Sequence, residues 1–315
     1  MKKNNILFFL CLCSAMGAAA QNWPEVKPEA RPGSRWWWLG SAVDKDNLNY
    51  NLKEYGKAGL GSLEVTPIYG VKGNESHNLC FLSPEWMEMF RYTQEVGKTN
   101  GIDIDMNTGT GWPFGGPEVS LSQAAAKAIF ECYEVKGGEP VKLEINIRDP
   151  KEQKQRDVAY LDCLMAYGTD GKVVNLTKKV KDGYLQWDAP AGDWQLVALF
   201  VGRTFQKVKR AAPGGEGYVM DHFSPVSVKS YFEKFDKAFK ANKVNFPHTF
   251  FNDSYEVYGA DWTPAFLKEF AARRGYRLEN HFPEFISQER TELTRRLVSD
   301  YRETLGELLV ENFTT

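Results

Sequence analysis

Residues 102–117 read IDIDMNTGTGWPFGGP. This is a strand that runs straight into a loop rich in glycine and proline, and what stands before it decides the fold. Upstream lies SPEWMEMFRYTQEVGKTNG, a helix capped by Ser83, with Pro84 in its first turn and Asn100-Gly101 at its end. Before that helix comes SLEVTPIYG, a β-branched run broken by Pro67, hence a second strand. Earlier still, residues 44–58 (DKDNLNYNLKEYGKA) read as a helix with Asp44 or Asp46 as N-cap and Gly59 as its stop, and SRWWWLGSA, from Ser34, reads as a first strand. Three strand–helix units in succession predict parallel strands with helical crossovers, an α/β frame. In such frames the loops after the strands carry the chemistry. Here those loops are Gly40-Ser41, Thr66 to Tyr69 and Asn107 to Gly116.

The pattern changes near Ala124. Short runs divided by turns follow, to about Phe205. AIFECYEV and PVKLEINI, joined by KGGE, predict a hairpin. VAYLDCLMAY, VVNLTKKV, YLQWDA and WQLVALFVG complete an antiparallel set. KEQKQRD, inside it, reads as a solvated loop. The α/β pattern then returns, with a helix capped by Ser224, a strand in PHTFFNDSYE, and a helix started by Thr263-Pro264 and stopped by Gly275. A long amphipathic helix ends the chain, with Leu293, Leu297, Tyr301, Leu305 and Leu308 on one face. The predicted organisation is residues 21–122 as the first α/β units, 123–212 as an inserted β-domain and 213–315 as the α/β continuation.

Residues 1–20 precede that frame and have their own signature. Lys2 and Lys3, an apolar run from Ile6 to Met16 and Ala18-Ala19-Ala20 form the three regions of a secretory signal peptide, with cleavage expected after Ala20. The apolar run is too short to span a bilayer. Export to the periplasm or surface of a bacterium is therefore expected. The 39 basic and 41 acidic residues are nearly balanced, which argues against a nucleic-acid partner and against a polybasic membrane signal. Nine Trp, fourteen Tyr and twenty Phe suit either a large core or a sugar cleft, since the C–H face of a pyranose packs on an aromatic ring. The cysteines left after cleavage, Cys80, Cys132 and Cys163, have no metal-knot spacing and are expected to be buried thiols.

Several groups stand where chemistry is expected. FFNDSYE delivers Asn252, Asp253 and Glu256 from a strand end, and a Glu among aromatics can serve as a general acid or base; a polar turn is the plainer reading. Asn107 and Trp112 sit in the glycine-rich loop, which matches no nucleotide-binding fingerprint and is better suited to presenting Trp112 to a ring. Asp221 and His222 form a pair that fits substrate contact or a hydrogen-bonded support. Trp36 and Trp38 face one way along their strand and Trp37 the other, toward core or sugar. Glu64 alternates with Leu63 and Val65, so it points to the opposite face and needs a partner there. Motifs of zinc proteases, serine hydrolases and EF-hands are missing.

Taken in order, WWWLGSAV, EVTPIYG, DMNTGTGWPFGGP, APGGEGYVMDHF and FNDSYEVYGADWTPAFLKEFAARRGY resemble glycoside hydrolase family 106, the α-L-rhamnosidases, from about Arg35 onward. The resemblance implies the first part of a (β/α)8 barrel with an inserted antiparallel β-domain, in a secreted, longer, multidomain enzyme. It implies release of terminal α-L-rhamnose from plant glycans with inversion, using two carboxyl groups roughly 6.5–9.5 Å apart, and dependence on calcium, whose ligands the sequence leaves unassigned. Glu256 is the catalytic candidate. Asn107, Trp112, Asp221, His222, Asn252, Asp253 and Trp37 are the substrate-binding candidates. A carbohydrate-binding protein without activity, or another exo-glycosidase on the same frame, would use the same residues.

Overall fold

A computed structural model describes residues 24–314, so the predicted signal peptide lies outside the described residues. Strand β1 (Gly33–Leu39) pairs in parallel with β2 (Ser62–Ile68), and β2 with β3 (Asp103–Asn107). The helices α1 (Lys45–Lys57) and α2 (Pro84–Thr99) make the crossovers. The predicted caps form as drawn: Asp44 accepts from the Asn47 amide at 2.9 Å and Ser83 from the Trp86 amide at 3.2 Å. A two-residue strand β4 (Gly115–Gly116) follows. Next come the antiparallel strands β5 (Ala126–Gly137), β6 (Pro140–Glu144), β7 (Tyr160–Gly168), β8 (Val173–Asn175), β9 (Val180–Lys181), β10 (Tyr184–Asp188) and β11 (Gly192–Arg203). Strand β12 (Tyr218–Val219) pairs back onto β4. Helix α3 (Pro225–Asn242) leads to β13 (Phe250–Phe251), which joins the parallel sheet beside β3, giving the order β1-β2-β3-β13. Helices α4 (Phe266–Arg274), α5 (Phe282–Ile286) and α6 (Glu292–Thr314) complete the chain.

One face of the parallel sheet is apolar and covered. Leu63, Val65, Ile104 and Met106 pack with Trp38, Trp86 and Phe90 and with Tyr231, Phe235 and Phe239 of α3. Trp86 is fully buried, stacks on Phe90 at 5.3 Å between ring centres, and donates its indole N–H to Ser41 Oγ at 3.0 Å. That bond fixes the loop after β1 to the helix after β2. The other face of the sheet is polar and carries the site.

The antiparallel strands form two sheets, β5-β11-β7-β8 and β6-β10-β9, with an apolar core between them that includes Leu164, Leu185, Trp187 and Leu196. The predicted hairpin of β5 and β6 does not form. The turn at Gly138 (φ +105°) carries the chain from one sheet to the other, so β5 pairs with β11 and β6 with β10. Strands β5 and β11 pair along their whole length, which sets Ala126 opposite Arg203. The predicted solvated loop KEQKQRD contains a buried clip. Gln155 is 4% exposed, donates to the Arg203 carbonyl at 2.6 Å and accepts from the Arg203 amide at 2.9 Å.

The helices after Thr263 cover the antiparallel sheet rather than the parallel one. Trp262, Phe266, Phe270, Phe282, Leu297 and Leu308 pack on Ala126, Cys163, Val197 and Val201. Periodicity fixes which face of a helix is apolar but not which sheet receives it. Leu293, expected on the apolar face of α6, is 44% exposed. Thr263 does not cap α4; its hydroxyl donates to Asp221 Oδ2 at 2.8 Å instead. No disulfide joins the described cysteines, and Cys80 is exposed, against expectation, while Cys163 is buried.

Trp86→Ala removes a buried ring and the bond to Ser41. A loss of about 3–5 kcal/mol is expected, read as a lower urea midpoint. Trp86→Phe, which keeps most of the volume, is expected to recover more than half of it.

Candidate active site

In a parallel sheet, residues on the same rung share a face. Arg35, Glu64 and Asp105 are on one rung; Trp37 with Thr66, and Asn107 with Phe251, lie one step further on. All seven therefore project from the face opposite the apolar core, toward the strands' carboxyl ends. Arg35 is the centre of this set. Its Nε lies 3.2 Å from Glu64 Oε1 and its Nη1 2.8 Å from Asp253 Oδ2. Its guanidinium carbon lies 5.3 Å from the Trp37 ring centre, 5.7 Å from Trp112 and 5.4 Å from Phe251. Trp37 and Trp112 meet edge to face at 5.7 Å. A guanidinium suits this place because its flat faces stack on rings while its edge binds carboxylates. Thr66 Oγ1 donates to Glu64 Oε1 at 2.8 Å, and Asp105 Oδ1 accepts from the Thr249 hydroxyl at 2.7 Å.

The loop that carries Trp112 is set by close backbone packing. Trp112 exchanges both backbone bonds with Lys209, N to O at 3.0 Å and O to N at 2.7 Å. Gly111 has φ +61°, and a Cβ there would run into the Lys209 carbonyl. A Cβ on Gly217 would likewise strike the Gly116 carbonyl. The two glycine-rich stretches are thus two sides of one contact. The Tyr231 hydroxyl donates to the Thr108 carbonyl at 2.8 Å and ties that loop to α3.

Trp37, Trp112 and Asp253 are therefore gathered around Arg35. Asn107 shares their face, fully buried, and neither amide atom of its side chain has a partner. Asn252 is exposed. Glu256 is exposed on the rim; its Oε1 accepts from Ser254 Oγ at 2.9 Å and its carbonyl from Gln206 at 3.0 Å. Asp221 and His222 lie apart, 2% and 4% exposed, behind Tyr255, whose ring meets His222 edge to face at 5.1 Å. They are placed to support the loop rather than to meet solvent. Arg35 is absent from the sequence-based candidates. Its signal was the requirement of Glu64 for a countercharge on the same face.

Burial sets the charges of the buried pair. It pushes the Asp221 carboxyl up to about 6, against hydrogen bonds from Thr263 and the Phe223 amide, and pushes His222 down to about 4. Calcium requires six to eight oxygen ligands. Among the described residues no group of three or more His, Cys, Asp or Glu is placed to hold a metal ion, and between Glu64 and Asp253 stands the guanidinium of Arg35. With its own cation at the centre, the Arg35 cluster is not itself a calcium site.

Parallel strands that present carboxylates, an arginine and ring faces at their carboxyl ends suit the chemistry of a glycoside hydrolase. Within that class the chain belongs to family 106: the family model described as alpha-L-rhamnosidase matches residues 24–170 and 151–315. A Formosa agariphila protein named "Putative beta-glucuronidase" is 26% identical over 91% of this chain and 28% of its own length. The solved structure of the rhamnosidase from Novosphingobium sp. PP1Y superposes with a TM-score of 0.72 at 16% identity, over 91% of this chain and 44% of that one. The second likeness is one of fold. The chain spans less than half the length of either relative.

Two outcomes follow. Arg35→Met leaves Glu64 and Asp253 without their shared countercharge, and a loss of about 1–2 kcal/mol is expected because the pairs are only partly buried. Lys45→Met, which breaks a pair about half exposed on both sides, is expected to cost under about 0.5 kcal/mol; denaturant midpoints compare the two. The buried pair has opposed pH effects. Between pH 3.8 and about 6 the folded state keeps the Asp221 proton that the unfolded chain loses, so this group weakens stability as pH rises. Between about 4 and 6.5 the unfolded chain binds a His222 proton that the folded state refuses, so this group strengthens stability as pH rises. His222→Gln should make stability fall from pH 4 to 6, and Asp221→Asn should make it rise, each by on the order of 3 kcal/mol, relative to a flatter parent curve.

Proposed function

We propose that the full-length protein is an exported glycoside hydrolase that releases terminal α-L-rhamnose from plant glycans with inversion. In this reading, the parallel sheet described here is the first part of a (β/α)8 barrel whose interior forms the substrate cleft. The observation that carries the reading is the Arg35 cluster. Its one positive charge faces two carboxylates, Glu64 and Asp253, on a floor flanked by Trp37, Trp112 and Phe251. A floor with that charge balance suits a neutral sugar and disfavours one that carries its own carboxylate. A 6-deoxyhexose such as rhamnose is neutral, and its methyl and C–H face match the indole rings. The glucuronide in the name of the Formosa agariphila protein fits this floor less well, because a uronate would bring a third carboxylate to two acids that already share one arginine.

Inversion requires one carboxyl group to protonate the leaving oxygen and another to activate water. Glu256 is proposed as one of the two. It stands at the carboxyl end of β13, and the Ser254 hydroxyl steadies its carboxylate. Asp253, held by Arg35, positions the same loop. The second carboxyl group is not assigned to a residue of this chain.

In the full-length enzyme, Glu256→Gln is expected to lower kcat on an aryl α-L-rhamnoside by at least about a hundredfold, the scale of lost acid–base catalysis. Near-normal turnover would remove Glu256 from the mechanism. A panel of aryl α-L-rhamnoside, β-D-glucuronide and β-D-galactoside tests the substrate; hydrolysis of the glucuronide alone would overturn the rhamnoside reading.

A further inference from the structure

Residues 206–210 (QKVKR) form a rib held on three sides by the loops that border the Arg35 cluster. The Lys209 backbone pairs with Trp112, the Arg210 carbonyl accepts from the Tyr69 amide at 3.0 Å, and the Gln206 side chain bonds the Glu256 carbonyl and the Tyr258 amide at 3.0 and 2.8 Å. The rib therefore touches the loops after β2, β3 and β13 together. Its three cations are exposed. Each rests on a tyrosine: Lys207 on Tyr218 at 4.6 Å, Lys209 on Tyr258 at 4.7 Å and Arg210 on Tyr69 at 5.9 Å. None of the three forms an ion pair among the described residues. Arg273 and Arg274, by contrast, are met by Glu269, Glu303, Glu307 and Glu311.

A solvated basic run would not require this anchorage. Three cations on a segment pinned at Lys209 by a double backbone bridge, without acidic partners and two of them on exposed rings (Tyr258 is 67% exposed, Tyr69 46%), present a positive, stacking surface. It adjoins a floor of the opposite sign, and Trp112 belongs to both, its ring against Arg35 and its backbone against Lys209. The ligand that satisfies both halves is neutral where it lies on the floor and anionic one residue further out. We propose that the rib formed by Lys207, Lys209 and Arg210 recognises an acidic group, a carboxylate or a sulfate ester, on the sugar next to the one that is cleaved. The inference rests on the glycosidase reading above and extends it from the terminal sugar to its neighbour.

The test uses the full-length enzyme, with Lys207, Lys209 and Arg210 changed together to Gln. Three substrates are compared: a rhamnosyl-uronic acid disaccharide, the same disaccharide with its carboxyl reduced to the alcohol, and an aryl α-L-rhamnoside. The triple variant is expected to lose about tenfold more kcat/KM on the acidic disaccharide than on the other two, and raised salt is expected to reduce the parent's preference for it. An equal loss on all three substrates overturns the proposal, as does no loss on the acidic one. A sulfated disaccharide distinguishes the two sources of negative charge. Calorimetric binding of acidic and carboxyl-reduced oligosaccharides to parent and variant runs alongside and does not depend on turnover. If rhamnosides are not hydrolysed, the rhamnosidase reading fails while the rib is still judged by whether the parent prefers the acidic oligosaccharide and the variant does not; equal binding overturns the rib itself.

Discussion

One guanidinium ties two neighbouring strands to loops that lie beyond the backbone ladder. Arg35 stands on β1, Glu64 on β2 and Asp253 beyond β13, while Trp112 belongs to the loop after β3. The four strands reach these positions through crossovers of very different length, one of which contains the whole antiparallel region. Hydrogen bonding along the sheet sets the spacing of the strands, but not the conformation of the loops at their ends. The charge and the faces of Arg35 do that, pulling the Asp253 loop and the Trp112 ring toward the same point. An arginine can bind edge-on to acids and face-on to rings at once; a lysine, with a compact charge and no flat face, could not hold this set.

The second constraint is backbone on backbone. The stretches around Gly111 and Gly217 approach so closely that side chains are excluded, and this brings the rib, the Trp112 loop and the β4–β12 pair into a single layer above the parallel sheet. Attraction at Arg35 and exclusion at the glycines act on the same residue, Trp112, from its two ends. Its ring is therefore placed with little freedom, as a stacking surface for a sugar requires.

Much of this frame was legible in the residues. Asp44, Ser83 and Ser224 marked helix starts because capping is local chemistry, and the strand–helix alternation gave the parallel sheet. Trp37 and Trp38 separated to the faces that alternation assigns them, one 45% and the other 1% exposed. What the sequence leaves hidden is tertiary pairing. The β5–β6 hairpin, the sheet beneath α4 and α6, and the buried role of Gln155 each depend on a distant partner that no window of sequence displays. Arg35 is illegible in the sequence for a related reason: a lone arginine in a tryptophan run has no motif, and only the register, which sets it beside Glu64, gives it meaning. Thr263 appeared as a cap and became a ligand of the Asp221 carboxyl, since a buried acid competes for a hydroxyl more strongly than a helix end near solvent does.

The pairing of Ala126 with Arg203 has an evolutionary consequence. The chain leaves the parallel frame and re-enters it through one doorway two strands wide, clipped by Gln155. Topologically, the region between could be excised or replaced by another module without displacing β3 or α3. Energetically it could not, because Trp262, Phe266 and Phe282 would lose the surface they lie on. The inserted region is thus a tenant on which the later helices depend. Variation among relatives should therefore concentrate at its far turns, around Gly138, Gly171 and Gly183, rather than at the doorway.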